Sequence, residues 1–110
     1  MNFNDYQKQA LTTVLSTNDY FKDTLHWVLG LNGESGEVAE KVKKIIRDKN
    51  GEISEEDKIE LGKELGDVLW YIAVFANQLG LSLDDIAADN LKKLADRQKR
   101  NVLKGSGDNR

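Results

Sequence analysis

The sequence predicts an all-α domain of four main helices, with the second and third packed antiparallel. Three observations support this fold class. The 110 residues include no proline and 32% of them are charged, a composition that suits helices. Apolar residues recur at helical spacing through most of the chain. Serine followed by an acid three residues later, at Ser54 and again at Ser82, marks the start of the last two helices.

The first half of the chain is predicted to hold two helices. The first covers residues 1–15 and opens near Asn4 or Asp5, and the polar segment 16–19 ends it. The second begins between Asp19 and Asp23 and runs to about Asp48. It is expected to be one helix with room for a kink, because glycine costs roughly 1 kcal/mol relative to alanine inside a helix. Three glycines lie in it: Gly30, Gly33 and Gly36.

The third helix is the centre of the predicted fold. The stretch from Ile59 to Leu79 is apolar on nearly every side in its second half, and such a helix is normally buried. One stripe of it is nevertheless polar. Its members are Glu60, Glu64, Asp67, Tyr71 and Gln78. Burying an uncompensated carboxylate costs several kcal/mol, so either a positive group faces this stripe or the stripe lines a wet cleft.

Gly80 is the expected C′ residue of the third helix, and the fourth helix runs from Ser82 to about Arg100. The fourth helix carries a polar stripe beside its apolar residues. The members of this stripe are Asn90, Lys93 and Arg97. Residues 1–103 are expected to form a single domain. The tail, residues 104–110, has no apolar residue to bury and is predicted to be disordered.

A second acidic pair precedes the turn between the second and third helices. Glu34 and Glu37 are three residues apart, so they project from one side of the second helix, beside an apolar stripe. The segment Lys49-Asn50-Gly51 breaks that helix and lets the chain fold back. The pairs Glu34/Glu37 and Glu64/Asp67 can then converge. Four carboxylates without a nitrogen or sulfur ligand suit a hard divalent ion, Mg²⁺ or Mn²⁺.

Composition excludes several classes of protein. A net charge of −3 and the lack of a basic tract argue against a nucleic-acid binder. The absence of cysteine excludes disulfides and thiolate metal sites. No apolar run reaches the ~20 residues of a membrane span, so the expected location is the cytoplasm. A di-iron bundle would need Glu-x-x-His pairs, and the only histidine, His26, is expected to pack beside Trp27.

Other readings of the acidic pairs stay open on the sequence pattern alone. Acidic residues three apart are common on solvated helix surfaces. The carboxylates could also form ion pairs at the interfaces of an assembly protein, with Lys41, Lys44 or Lys93 as partners. A third reading is a module that binds a metal–nucleotide complex without hydrolysing it.

The motifs resemble those of one enzyme family. Glu34-x-x-Glu37, a spacer of some two dozen residues and Glu64-x-x-Asp67 are similar to the metal motif of the MazG-like, all-α nucleoside triphosphate pyrophosphohydrolases. The segments DYQKQALTT, LGLNGESGEVAEKVKK, ELGDVLWYIA and NLKKLADR resemble short, single-domain members of the family. The resemblance covers most of the chain from Asp5 to Arg97.

The resemblance implies a Mg²⁺-dependent enzyme that hydrolyses a nucleoside or deoxynucleoside triphosphate to the monophosphate and pyrophosphate, as in house-cleaning of the nucleotide pool. Glu34, Glu37, Glu64 and Asp67 would be its metal ligands, and Glu34 or Glu37 would orient the attacking water. Substrate contacts are expected from Asn90, Lys93 and Arg97, with Lys41 and Lys44 as weaker candidates. Tyr71 is a further candidate for substrate binding. Many members carry a further glutamate where this chain has Gly33, which leaves the number of metal ions open.

The working unit is expected to be a homodimer or homotetramer that completes the four-helix bundle. One chain offers too few apolar stripes to cover the third helix and also the first half of the second, where Leu25, Trp27 and Leu29 lie. Members of the family assemble in this way, with sites where helices of two subunits meet.

Overall fold

The chain folds into four α-helices and one short 3₁₀ turn, and the computed structural model describes all residues, 1–110. The elements in chain order are α1 (Phe3–Ala10), the 3₁₀ turn (Leu11–Thr13), α2 (Tyr20–Lys49), α3 (Glu55–Gln78) and α4 (Leu83–Lys99). There is no β-strand. The predicted all-α class and the number of main helices are therefore confirmed.

The first helix is shorter than predicted. It ends at Ala10 instead of about Leu15, and the 3₁₀ turn follows it. The hydroxyl groups of Thr12 and Thr13 donate hydrogen bonds to the carbonyls of Gln9 and Ala10, at 2.6 and 2.9 Å. Threonine hydroxyls compete in this way for the carbonyls that a continuing helix would use.

Helix α2 is continuous, as predicted. Its N-cap is Asp19, whose side chain accepts a hydrogen bond from the backbone of Lys22 at 3.1 Å. The helix runs through its three glycines for 30 residues, as far as Lys49. The carboxylate of Asp23, in the first turn of α2, accepts hydrogen bonds from Ser16 and Thr17, which fixes the segment that joins α1 to α2.

Helices α2 and α3 form an antiparallel hairpin, the most extensive helix pair of the fold. Ser54 caps α3 through the expected capping box with Asp57. Lys49 Nζ contacts the Asp57 carboxylate at 2.9 Å and so closes the turn. At the opposite end, the Gln78 side chain accepts from Trp27 Nε1 at 2.6 Å and donates to the hydroxyl of Thr24, also at 2.6 Å.

The end of α3 and the start of α4 follow the predicted capping pattern. Gly80 has a φ of 73° and lies at C′. Its amide donates to the carbonyl of Asn77 and that of Leu81 donates to Ala76, which completes a Schellman motif. The buried side chain of Gln7 bridges α1 to this region, because it donates to the carbonyl of Leu81 and accepts from the amide of Leu83.

The core lies where α1 packs on the second half of α3 and the start of α4. Its buried apolar members are Ala10, Ala73, Ala76 and Leu83, with Tyr6 and Trp70 packed against them. Helix α3 is only partly covered by its own chain: Val74 is 2% exposed, whereas Leu65 is 57% exposed. None of the helices is both long enough and apolar enough to cross a membrane.

The chain exposes more surface than a compact monomer of its size. Its accessible area is 8197 Å², against about 6,100 Å² expected for a monomer of this mass. The radius of gyration is 16.9 Å, against about 13 Å for a compact domain of this length. Much apolar surface is therefore left for another molecule, and assembly into an oligomer stays a prediction.

Candidate metal centre

Three of the four predicted metal ligands meet between α2 and α3. One carboxylate oxygen from each of Glu34, Glu64 and Asp67 lies within 4.8 Å of the others. Glu34 comes from α2, and the other two come from α3. Because the helices are antiparallel and in contact, the acidic residue of one can face an acidic pair of the other.

Glu37 is the predicted ligand that stays outside this cluster. It lies one turn after Glu34 on α2, and its side chain is exposed. Glu64 and Asp67 have the same spacing on α3 and both join the cluster, so the position of Glu37 reflects how α2 is rotated against α3. The role of Glu37 as a ligand therefore stays a prediction.

The cluster suits a divalent cation in size and in chemistry. Mg²⁺ binds oxygen ligands at about 2.1 Å, which puts two ligands on opposite sides of the ion about 4.2 Å apart. The separation in the cluster, at most 4.8 Å, is close to that value. All three donors are carboxylate oxygens, the ligands that hard cations prefer.

The electrostatics of the cluster favour a bound positive charge. The pKa of Glu34 is raised from its usual value of 4.5 by burial, by the charge of Asp67, and by a hydrogen bond and charge from Glu64. The charge of Glu37 adds to the effect. A carboxyl whose pKa is raised in this way binds a proton more readily, and a cation at the same place relieves the same repulsion.

One lysine faces the cluster, which is one of the two arrangements expected for the acidic stripe of α3. Lys41 Nζ lies 3.7 Å from Glu64 Oε1, and both side chains are partly buried. Lys44 does not pair with Glu64; it lies 3.7 Å from Glu40 on its own helix. One lysine beside three carboxylates leaves the cluster negative.

Tyr71 borders the cluster on the side of the N-terminal half of α2. It lies one turn after Asp67, and its ring packs on the backbone of Gly30, one turn before Glu34. The ring meets that of Trp70 edge to face, with centroids 4.9 Å apart. His26 is exposed and stacks on Trp27 at 4.7 Å, which is the packing role expected for it.

Tyr6 of α1 is a neighbour of the cluster that sequence reasoning did not identify. Its pKa is raised by burial and by the charge of Asp67, so its hydroxyl lies close enough to sense that carboxylate. Only the apolar side of α1 could be inferred from the sequence. Nothing in the sequence indicates which residue of α3 faces Tyr6.

The polar stripe of α4 does not join the cluster within one chain. Asn90 lines a groove of about 260 Å³ together with Leu69 and Ile72 of α3. Those two residues lie about 140–160° around α3 from Asp67. Lys93 and Arg97 contact Asp108 of the tail, at 2.9 and 3.4 Å, and make no ion pair with the acidic cluster.

Comparisons with known proteins agree with the fold and with the motifs. The chain is 55% identical over 82 residues to the Gene 37 protein of Mycobacterium phage L5, a match that covers 74% of this chain and 72% of the phage protein. No solved structure matches the chain significantly. Residues 23–102, which include all but the first three residues of α2 and the whole of α3 and α4, match the family model of the MazG nucleotide pyrophosphohydrolase domain. The chain therefore belongs to the MazG nucleotide pyrophosphohydrolase domain family.

Proposed function

We propose that this chain is a Mg²⁺-dependent nucleoside triphosphate pyrophosphohydrolase. Its reaction would convert a ribo- or deoxyribonucleoside triphosphate and water to the monophosphate and pyrophosphate, in the cytoplasm, as part of nucleotide-pool house-cleaning. The observation that carries the proposal is the cluster of Glu34, Glu64 and Asp67 in a chain of this family. Mn²⁺ is a chemically reasonable substitute.

The three clustered carboxylates are the proposed metal ligands. Bound among them, Mg²⁺ would neutralise phosphate charge and acidify a water for attack on phosphorus. The carboxylates anchor the cation in a site that would otherwise repel a triphosphate. Glu37 is better suited than Glu34 to orient the attacking water, because Glu34 already belongs to the cluster of proposed metal ligands with Glu64 and Asp67.

The substrate contacts proposed for this chain come from two places. Lys41, next to Glu64, and Tyr71, on Gly30, border the cluster directly. Asn90, Lys93 and Arg97 lie on α4, away from the cluster of their own chain. We propose that a second chain brings its α4 to the α2–α3 hairpin of the first, in a homodimer or homotetramer. The exposed apolar surface of a single chain supports this arrangement.

The test is a panel of ribo- and deoxyribonucleoside triphosphates assayed for pyrophosphate with Mg²⁺. Glu64→Gln and Asp67→Asn remove charge at nearly constant volume and should abolish turnover. Glu40→Gln is the matched control, because Glu40 is an acidic residue of α2 that pairs only with Lys43 and Lys44. Its rate should stay near that of the wild type.

Other outcomes would contradict the proposal in different ways. Release of orthophosphate alone would mean a different phosphatase reaction. Nucleotide binding without any release would favour a binding module, and neither binding nor release would favour an assembly protein. Near-normal Mg²⁺-dependent rates in Glu64→Gln would remove the metal assignment.

A further inference from the structure

The C-terminal tail, residues 104–110, folds back on α4. Asp108 Oδ1 lies 2.9 Å from Lys93 Nζ and 3.4 Å from the Arg97 guanidinium. Arg97 also donates a hydrogen bond to the backbone carbonyl of Asp108. The Asp108 carboxylate therefore already pairs with two of the cationic side chains that are proposed to contact the phosphates of the substrate.

The Arg97 side of this contact is buried, whereas the Asp108 side is open to solvent. The side chain of Arg97 is 7% exposed, and that of Asp108 is 82% exposed. Arg97 Nε is buried and has no hydrogen-bond partner. The tail thus leaves one donor of a buried guanidinium unsatisfied, which an anion with more acceptor oxygens could use.

The tail is held by hydrogen bonds that are exposed or only partly buried. Gly105 and Gly107 have φ values of 140° and 86°, which allow the chain to reverse direction after α4. The Arg110 guanidinium donates to the carbonyls of Val102 and Gly107, at 3.2 and 2.6 Å. Contacts so exposed open at little cost in free energy.

We infer that Asp108 is a built-in competitor for the anion site of Lys93 and Arg97, so that the tail must leave before a phosphate group can bind there. This inference rests on the proposed role of Lys93 and Arg97 in the function above. A site that is open only part of the time has a lower apparent affinity for its ligand, in proportion to the fraction of time that it is open. A phosphate group offers more charge and more oxygens than Asp108, so it displaces the tail once its concentration is high enough.

The test measures binding of pyrophosphate to the metal-free protein by calorimetry, with a chelator present. Without metal ions the acidic cluster repels the probe, so binding reports on cationic sites. Asp108→Asn should tighten binding by roughly two- to fivefold, the range for a partly exposed ion pair. A chain that stops at Lys104 should show the same gain. Asp85→Asn, the same change in charge on the first turn of α4, should leave the affinity unchanged.

A second substitution identifies the site. Adding Lys93→Gln to Asp108→Asn should cancel the gain. Equal affinities of the wild type, Asp108→Asn and the truncated chain would overturn the inference, and so would a lack of pyrophosphate binding by all of them. The measurement needs neither metal nor turnover, so a chain that hydrolyses no nucleotide would refute the proposed function without deciding the role of the tail.

Discussion

The Tyr71 ring occupies the place where a side chain at residue 30 would be. A Cβ built on Gly30 would lie 2.2 Å from Tyr71 Cε1, far inside contact distance. The ring is confined on its other side by Trp70, at 4.9 Å. Glycine at position 30 is thus what lets α2 and α3 approach each other beside the acidic cluster.

Gly30→Ala should destabilise the fold and slow the proposed reaction. The added methyl group forces the Tyr71 ring to move, and overpacking of this kind costs about 1–3 kcal/mol. Denaturant unfolding measures that loss of stability. Gly33→Ala is the matched control, because nothing lies within 4 Å of its Cβ. It should gain about 0.5–1 kcal/mol from helix propensity. Equal stabilities of the two variants would contradict the packing described for Tyr71.

Glu34→Gln should stabilise the metal-free protein at neutral pH. Because the pKa of Glu34 is raised in the folded state, its contribution to stability is fully present below the unfolded pKa and is lost as the pH rises through the folded pKa. The difference in melting temperature between variant and wild type should therefore grow as the pH rises from about 4 to neutral. Added Mg²⁺ should raise the melting temperature of the wild type and have little effect on the variant. A difference that does not change with pH would contradict the crowding of carboxylates at Glu34.

Lys41→Gln should strengthen binding of the divalent ion while weakening binding of the triphosphate. The substitution removes a positive charge 3.7 Å from Glu64. Two unit charges at that distance interact by about 1 kcal/mol in water, so Mg²⁺ affinity should rise by roughly two- to fivefold. Metal titration and KM for the nucleotide measure the two effects. Lys43→Gln, which removes an exposed lysine paired with Glu40, should change neither. A weaker affinity for Mg²⁺ in Lys41→Gln would contradict this arrangement.

The active species should have a mass that is a multiple of 12.4 kDa in light scattering. Leu29→Glu should lower that mass, because Leu29 is 66% exposed on an apolar stripe of α2 with Phe21 and Leu25. Leu15→Glu is the control: Leu15 is 84% exposed but lies outside the helices. A folded, active monomer would refute the proposed assembly.

Local sequence signals were enough to predict the α2–α3 hairpin. Asp19 and Ser54 cap their helices through hydrogen bonds to amides three residues away, so each start can be read from a few neighbouring residues. The convergence of Glu34 with Glu64 and Asp67 follows from helical spacing once the hairpin is known.

Features that depend on distant packing could not be read in the same way. Whether Glu37 points into the cluster depends on how α2 is rotated against α3, which spacing along one helix does not determine. The end of α1 depends on the hydroxyl groups of Thr12 and Thr13 competing for carbonyls. The pairing of Lys93 with Asp108 depends on the turn that the tail makes after α4.

The acidic cluster is built from one uninterrupted part of the chain, residues 20–78. All three of its carboxylates lie on α2 and α3, and none comes from α1 or α4. Cooperative opening in proteins often follows such supersecondary units. During synthesis the three carboxylates have therefore all been made before α4 and the tail. A cation bound at that stage would hold the two long helices together while the rest of the chain docks.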